Sequence, residues 1–186
     1  MTDAAIATPT LPTTKYRKDY QPPTHLVDTL ELEFDLAEEH TRVRSRMTLR
    51  ENPARSDAGG ELVLDGEALE LVSVTVDGEK ISDDRYQVGE ETLTLTGLPT
   101  ECVLEIEVVI EPQENTCFEG LYRSGPMFLT QCEAEGFRRI TYFLDRPCVM
   151  ARYTTTIRAE RGSYPVLLSN GNLVDSGEDS DGRHWA

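Results

Sequence analysis

The amino-acid sequence predicts an all-β protein, its antiparallel sheets packed as a sandwich or saddle-like domain. Three observations carry this. Apolar and polar residues alternate with period two in successive stretches from Leu30 to Ile110, the pattern of strands that bury one face. Turn signals separate those stretches at short intervals. No stretch between those limits sustains a helical period.

Each element follows from its residues. Met1 to Pro23 holds four of the ten prolines, and few large apolar residues precede Tyr16 and Tyr20. Met1 to Thr14 therefore reads as a loose tail with too little to bury against the entropy of ordering, and residues 15–186 as the domain. Leu30, Leu32, Phe34 and Leu36 alternate with Glu31, Glu33 and Asp35. After a turn at Ala37 to His40, Val43, Ser45, Met47 and Leu49 alternate with Arg42, Arg44, Arg46 and Thr48. The two strands are expected to pair, acidic outward residues facing basic ones across the hairpin.

Asn52 to Gly60 is a loop by composition. Leu62 to Leu64 reads as a short strand, and Val72, Val74 and Val76 run into Asp77-Gly78, a strong hairpin signal. Leu93 and Leu95 mark another strand, closed by Gly97 to Pro99, and Leu104, Ile106, Val108 and Ile110 form the most regular one. Glu111 to Pro126 reads as irregular. Asp145-Arg146-Pro147 is expected to open a short helix through Met150, with Asp145 as its cap. Tyr153, Thr155 and Ile157 resume alternation, Tyr164 to Leu168 reads as an apolar strand, and Ser169 to Asn172 as a turn. Asp175 to Gly182 reads as an acidic, flexible run. His184-Trp185-Ala186 begins something apolar and stops, so a fragment of a longer protein is expected.

The bulk numbers narrow the function. The 186 residues suffice for one domain, and the net charge of −16 argues against nucleic acid or an anionic membrane surface as partner. No apolar run approaches the ~20 residues that span a bilayer, and the amino terminus lacks the basic start and apolar block of a secretory signal. Cys102, Cys117, Cys132 and Cys148 form no Cys-x-x-Cys pair, which favours free thiols in a reducing cytoplasm over a disulfide framework or zinc knuckle.

The polar stretch Thr130 to Pro147 departs from the alternation before it. Gln131, Glu133, Glu135, Arg138 and Arg139 crowd around Gly136. On its residues alone it reads as a solvated, salt-bridged loop or as a binding element carried by a β scaffold. Glu133 could pair with Arg138 or Arg139, and Gln131 could satisfy nearby backbone. In an extended segment Glu135 shares a face with Glu133 but is assigned to structure, while Cys132 turns to the opposite face, towards the core. Asp175 to Asp181 lacks the ligand order of an EF-hand loop.

Four pieces in order carry a resemblance: Gly120-Leu121-Tyr122-Arg123-Ser124, Thr130-Gln131-Cys132-Glu133-Ala134-Glu135-Gly136-Phe137-Arg138, Leu144-Asp145-Arg146-Pro147 and Leu168-Ser169-Asn170-Gly171-Asn172. With Tyr16-Arg17-Lys18-Asp19-Tyr20, they resemble the amino-terminal domain of the aminopeptidase N family of zinc metallopeptidases, its bacterial cytosolic branch above all. The likeness runs from Lys15 to the end of the chain. It implies a cytoplasmic zinc exopeptidase acting on peptides with a free amino terminus, of which this chain is the first domain. In that family zinc sits in a second, thermolysin-like domain carrying His-Glu-x-x-His and a Gly-x-Met-Glu-Asn strand. This sequence has neither motif, so no catalytic residue and no zinc ligand is expected in it. The resemblance implies that Glu133 receives the substrate α-ammonium and that Gln131 lines the pocket for the first side chain. A stand-alone β-sandwich binding or structural module is the competing reading. Such binding modules usually present exposed aromatics, and only 13 Phe, Tyr and Trp occur here, several at core-like positions.

Overall fold

The computed structural model describes Thr14, residues 16–55 and residues 60–186. The tail reading falls, except for Thr14, outside those residues. β1 (His25–Asp35) and β2 (Thr41–Glu51) form the expected hairpin, with Glu31 opposite Arg46, Glu33 opposite Arg44 and Asp35 opposite Arg42. Next come β3 (Leu62–Asp65), β4 (Glu70–Val76), β5 (Glu79–Lys80), β6 (Tyr86–Val88), β7 (Thr92–Leu95) and β8 (Glu101–Ile110). β9 (Gly120–Ser124), β10 (Met127–Gln131), β11 (Arg152–Glu160), β12 (Gly177–Glu178) and β13 (Arg183–Trp185) complete the order.

Among the described residues an eight-stranded sheet runs β12-β13-β11-β1-β2-β8-β4-β5, a three-stranded sheet runs β3-β7-β6, and β9 pairs with β10 alone. The core lies between the two larger sheets. Leu32, Val43, Met47, Val74, Leu104 and Val108 of the large sheet cluster with Leu62, Leu64, Leu93 and Leu95 of the small one. Each buried aliphatic side chain there is worth about 1.5–3 kcal/mol over leaving it in water. The opposite face of the large sheet carries a charge ladder. Arg44 reaches Glu33 at 3.6 Å and Glu107 at 3.0 Å, and Arg46 reaches Glu31 at 3.0 Å and Glu105 at 3.3 Å.

Several expectations are corrected. Glu111 to Pro126 is not irregular throughout, because β9 lies in it and pairs with β10 across a two-residue turn in which Gly125 takes a φ of 58°. β11 runs parallel to β1, the exception in an otherwise antiparallel large sheet. A register shift between Leu71 and Ser73 leaves Val72 exposed while Val74 and Val76 stay buried. Tyr164 to Leu168 forms no strand. Tyr164 is held by its hydroxyl on Glu38 at 2.8 Å and by its ring against Phe128, Pro165 has no N–H to donate, and Val166 and Leu168 are exposed. The acidic run Asp175 to Gly182 contains β12, and its Asp179 pairs with Arg158 at 3.1 Å.

No helix forms at residues 146–150 either. One turn, Val149 N–H to the Arg146 carbonyl at 3.0 Å, is all that develops there. Asp145 does not cap it, because its carboxylate is taken by Arg138. The short 3-10 turns among the described residues are Arg17–Asp19, Asp83–Arg85 and Phe137–Arg139.

Candidate functional site

The stretch of interest hangs from the β9–β10 hairpin. Gln131 ends β10, opposite Gly120, and is exposed. Its side-chain amide donates to the Glu133 carbonyl at 3.2 Å, so the two candidate residues stand together. Residues 132–136 then form a turn, closed by the Gly136 N–H on the Cys132 carbonyl at 2.9 Å. The Glu133–Ala134 peptide is cis and Glu135 takes a φ of 69°. The turn hydrogen bond and the positive φ of Glu135 mean that the segment is not extended, which removes the premise that Glu133 and Glu135 share a strand face. Cys132 packs against the core, and burial pushes its thiol above the ordinary range, away from nucleophilic use.

Two glycines make the turn compact. A Cβ at Gly136 would lie 2.8 Å from the Gln131 carbonyl oxygen and 3.3 Å from the Gly120 nitrogen. One at Gly120, where φ is 71°, would lie 2.7 Å from Arg139 Cβ. The loop and β9 touch backbone to backbone, and only glycine permits that approach.

The two arginines are spoken for. Arg138 donates its backbone N–H and its Nε to Asp145 Oδ2 at 3.1 and 3.0 Å, and lies 3.5 Å from Glu135 and 3.8 Å from Asp65. Burial works against its charge, but the Asp145 hydrogen bond and the charges of Asp65, Asp145 and Glu135 outweigh it and hold the guanidinium above its ordinary range. Arg139 pairs with Glu67 and sits 3.5 Å from Glu119. Glu135, assigned to structure, thus lies against Arg138. Glu133 pairs with neither arginine, and among the described residues its carboxylate has no ion pair. The other acids nearby share the two guanidinium groups, Asp65, Glu135 and Asp145 around Arg138 and Glu67 and Glu119 around Arg139.

Sequence reading missed the Arg138–Asp145–Asp65 cluster, having assigned Asp145 to a helix cap. Asp65 lies far away in sequence, at the end of β3, and only the bridge between Asp65 and Phe143 brings it in. No local signal announces such a contact.

A two-layer β domain with an exposed carboxylate just beyond a hairpin is the class that fold and geometry define. Within it, this chain belongs to the peptidase M1 N-terminal domain family, whose model matches residues 15–186. It is 47% identical over 174 residues to aminopeptidase N of Escherichia coli (strain K12), covering 94% of this chain and 19% of that protein. To aminopeptidase N of Caulobacter vibrioides it is 46% identical over 168 residues, covering 90% and 19%. The crystal structure of Legionella pneumophila aminopeptidase A in complex with aspartic acid superposes with a TM-score of 0.86 at 34% identity, over 92% of this chain and 20% of that one. An M1 zinc metallopeptidase of Deinococcus radiodurans, crystallised with a Tyr-Ser-Ala substrate, matches at a TM-score of 0.70 and 14% identity over 87% of this chain and 38% of that one, a likeness of fold. The chain spans about a fifth of the length of the curated relatives it matches.

Proposed function

We propose that this chain is the non-catalytic amino-terminal domain, residues 15–186, of a longer cytoplasmic zinc aminopeptidase, and that Glu133 receives the α-ammonium of a peptide substrate. The family membership supports the first part. The second rests on Glu133 itself: an exposed carboxylate without an ion pair among the described residues, on a turn followed by two arginines that other acids hold. A cation with three donors is the complement of such a group. An internal peptide amide carries no positive charge, so the contact would favour chain ends and give exopeptidase selectivity. Gln131, whose amide leans on the Glu133 carbonyl, is assigned to the wall of the pocket for the first side chain.

The zinc and its ligands belong to a thermolysin-like domain beyond this chain. Among the described residues no three His, Cys, Asp or Glu side chains gather as a metal site. In the full-length enzyme zinc would activate water and polarise the scissile carbonyl. This domain's share is to bind and orient the amine.

The test is Glu133→Gln in the full-length enzyme, which keeps shape and one acceptor but removes the charge. A charge-assisted hydrogen bond is worth about 1.5–3 kcal/mol, so kcat/KM for free-amine peptides should fall by roughly one to two orders of magnitude. Glu135→Gln, whose carboxylate already faces Arg138, should do much less. Equal small losses in the two variants would return Glu133 to a surface role.

A further inference from the structure

We propose that Arg138 is the positioning residue for Glu133: it fixes the base of the 132–136 turn to the small sheet and so holds the carboxylate where an ammonium is met. This deepens, and rests on, the reading of Glu133 given above. Arg138 follows the turn by two residues and is mostly buried, its side chain 21% exposed. Three layers of contact converge on it. Nε and the backbone N–H both go to Asp145 Oδ2, and a terminal nitrogen donates to the Asp145 carbonyl at 3.2 Å. The Asp145 N–H in turn donates to Asp65 Oδ2 at 3.1 Å. Asp65 is itself fixed, because its N–H and carbonyl both bond Phe143, at 2.8 and 3.0 Å. The Arg138 carbonyl accepts the Glu67 N–H at 3.0 Å, securing the backbone from the other side.

The turn is therefore clamped at both ends. At the near end Gln131 sits in the β10 ladder, and at the far end Arg138 joins the turn to β3 and to the segment leading to Asp145. Glu133, Ala134 and Glu135 form the apex between those anchors. The Glu133 carboxylate makes no ion pair among the described residues, and the hydrogen bond from the Gln131 amide goes to the backbone carbonyl of Glu133, not to its side chain. Its position is inherited from the clamp. Arginine suits this task and lysine does not, since the planar fork reaches one carboxylate and a carbonyl at once while an ammonium is a single point. Small displacements of an orienting group cost much in rate, up to about 100-fold for 1 Å.

The experiment uses the full-length enzyme with Arg138→Gln, Arg138→Lys and the milder Asp145→Asn, each alone and combined with Glu133→Gln. Two readouts go beyond folding: kcat/KM on a free-amine peptide, and inhibition by an amino-acid amide compared with its des-amino analogue. Arg138→Gln should lower kcat/KM by about 10- to 100-fold and weaken the amine-bearing inhibitor but not the des-amino one. Arg138→Lys should not restore either. In the Glu133→Gln background the Arg138 and Asp145 changes should add little, because the group they position is gone. If Glu133→Gln leaves the amine preference intact, the reading of Glu133 fails and the proposal with it. If Glu133→Gln abolishes the preference while the Arg138 and Asp145 variants keep it, or lower both inhibitors alike and additively, Arg138 is a structural residue and only this proposal is overturned.

Discussion

A methyl group at Gly136 has no room. Its nearest neighbours would be the Gln131 carbonyl oxygen, Cys132 Cα at 3.0 Å and the Gly120 nitrogen, all backbone atoms that cannot swing aside. Gly136→Ala must therefore push the 132–136 turn off β9, at a cost of about 1–3 kcal/mol for forced overpacking. The expected outcome is a lower urea midpoint with an unchanged slope, since the surface exposed on unfolding stays the same. A contrast is available at Gly78, in the Asp77-Gly78 turn, where an added Cβ meets nothing within 4 Å. Any loss from Gly78→Ala would come from its φ of 81° alone, about 1–2 kcal/mol. Both glycines stood out in the sequence. Only the turn at Gly78 could be assigned from it, because the contact between Gly136 and Gly120 depends on how the hairpin folds back.

At the scale of the element, the first residue of β1 links stability to pH. His25 is buried, sits opposite Glu51 in the ladder and places Nδ1 3.0 Å from Thr24 Oγ1. Burial pushes its pKa below the ordinary 6.5, with the Glu51 charge opposing more weakly. The unfolded chain then takes up this proton first as pH falls. Stability is full above 6.5, declines as pH drops below it, and levels once the folded-state value is passed. Urea midpoints at pH 7.5 and 5.5 should differ less in His25→Gln than in the parent protein, the other groups being common to both. An equal drop in both proteins would remove His25 from the account. The same strand shows what sequence can reveal about an element. β1, β2 and β8 were legible because each buries alternate residues on one face. β9 was not, since burial of Gly120 and Leu121 comes from packing against the 3-10 turn Phe137–Arg139 and from pairing with β10, with no alternation of its own. Tyr164 to Leu168 misled for the opposite reason: its apolar residues satisfy the pattern, yet among the described residues the segment pairs with no strand and Val166 and Leu168 stay exposed. In the candidate site the residues themselves were legible, while the turn that displays them and the Asp65 contact below it arise from pairing distant in sequence.

The whole molecule divides its labour between the two faces of the large sheet. Leu104 lies in β8 near the centre, fully buried and opposite Met47 on one side and Val76 on the other. Truncating it removes contacts with both layers at once, and the surrounding strands cannot collapse into the space because their ladders fix their spacing. Leu104→Ala should therefore cost about 2–5 kcal/mol, the range for emptied core sites. Across the same sheet, Arg46 pairs with Glu31 and Glu105, each side chain roughly half exposed. Such pairs are worth about 0.2–1 kcal/mol and weaken as salt screens them. Arg46→Ala should cost less than about 1 kcal/mol at low salt, and its difference from the parent should shrink at 1 M sodium chloride. The Leu104→Ala deficit should persist at that salt, since it arises from packing and hydration. Urea midpoints of the three proteins at low and high salt decide the matter. A large, salt-insensitive loss in Arg46→Ala would mean that the ladder holds the sheet together, whereas a small loss in Leu104→Ala would mean that the two sheets repack freely, contrary to a core in which Leu62, Leu64, Leu93 and Leu95 are all fully enclosed.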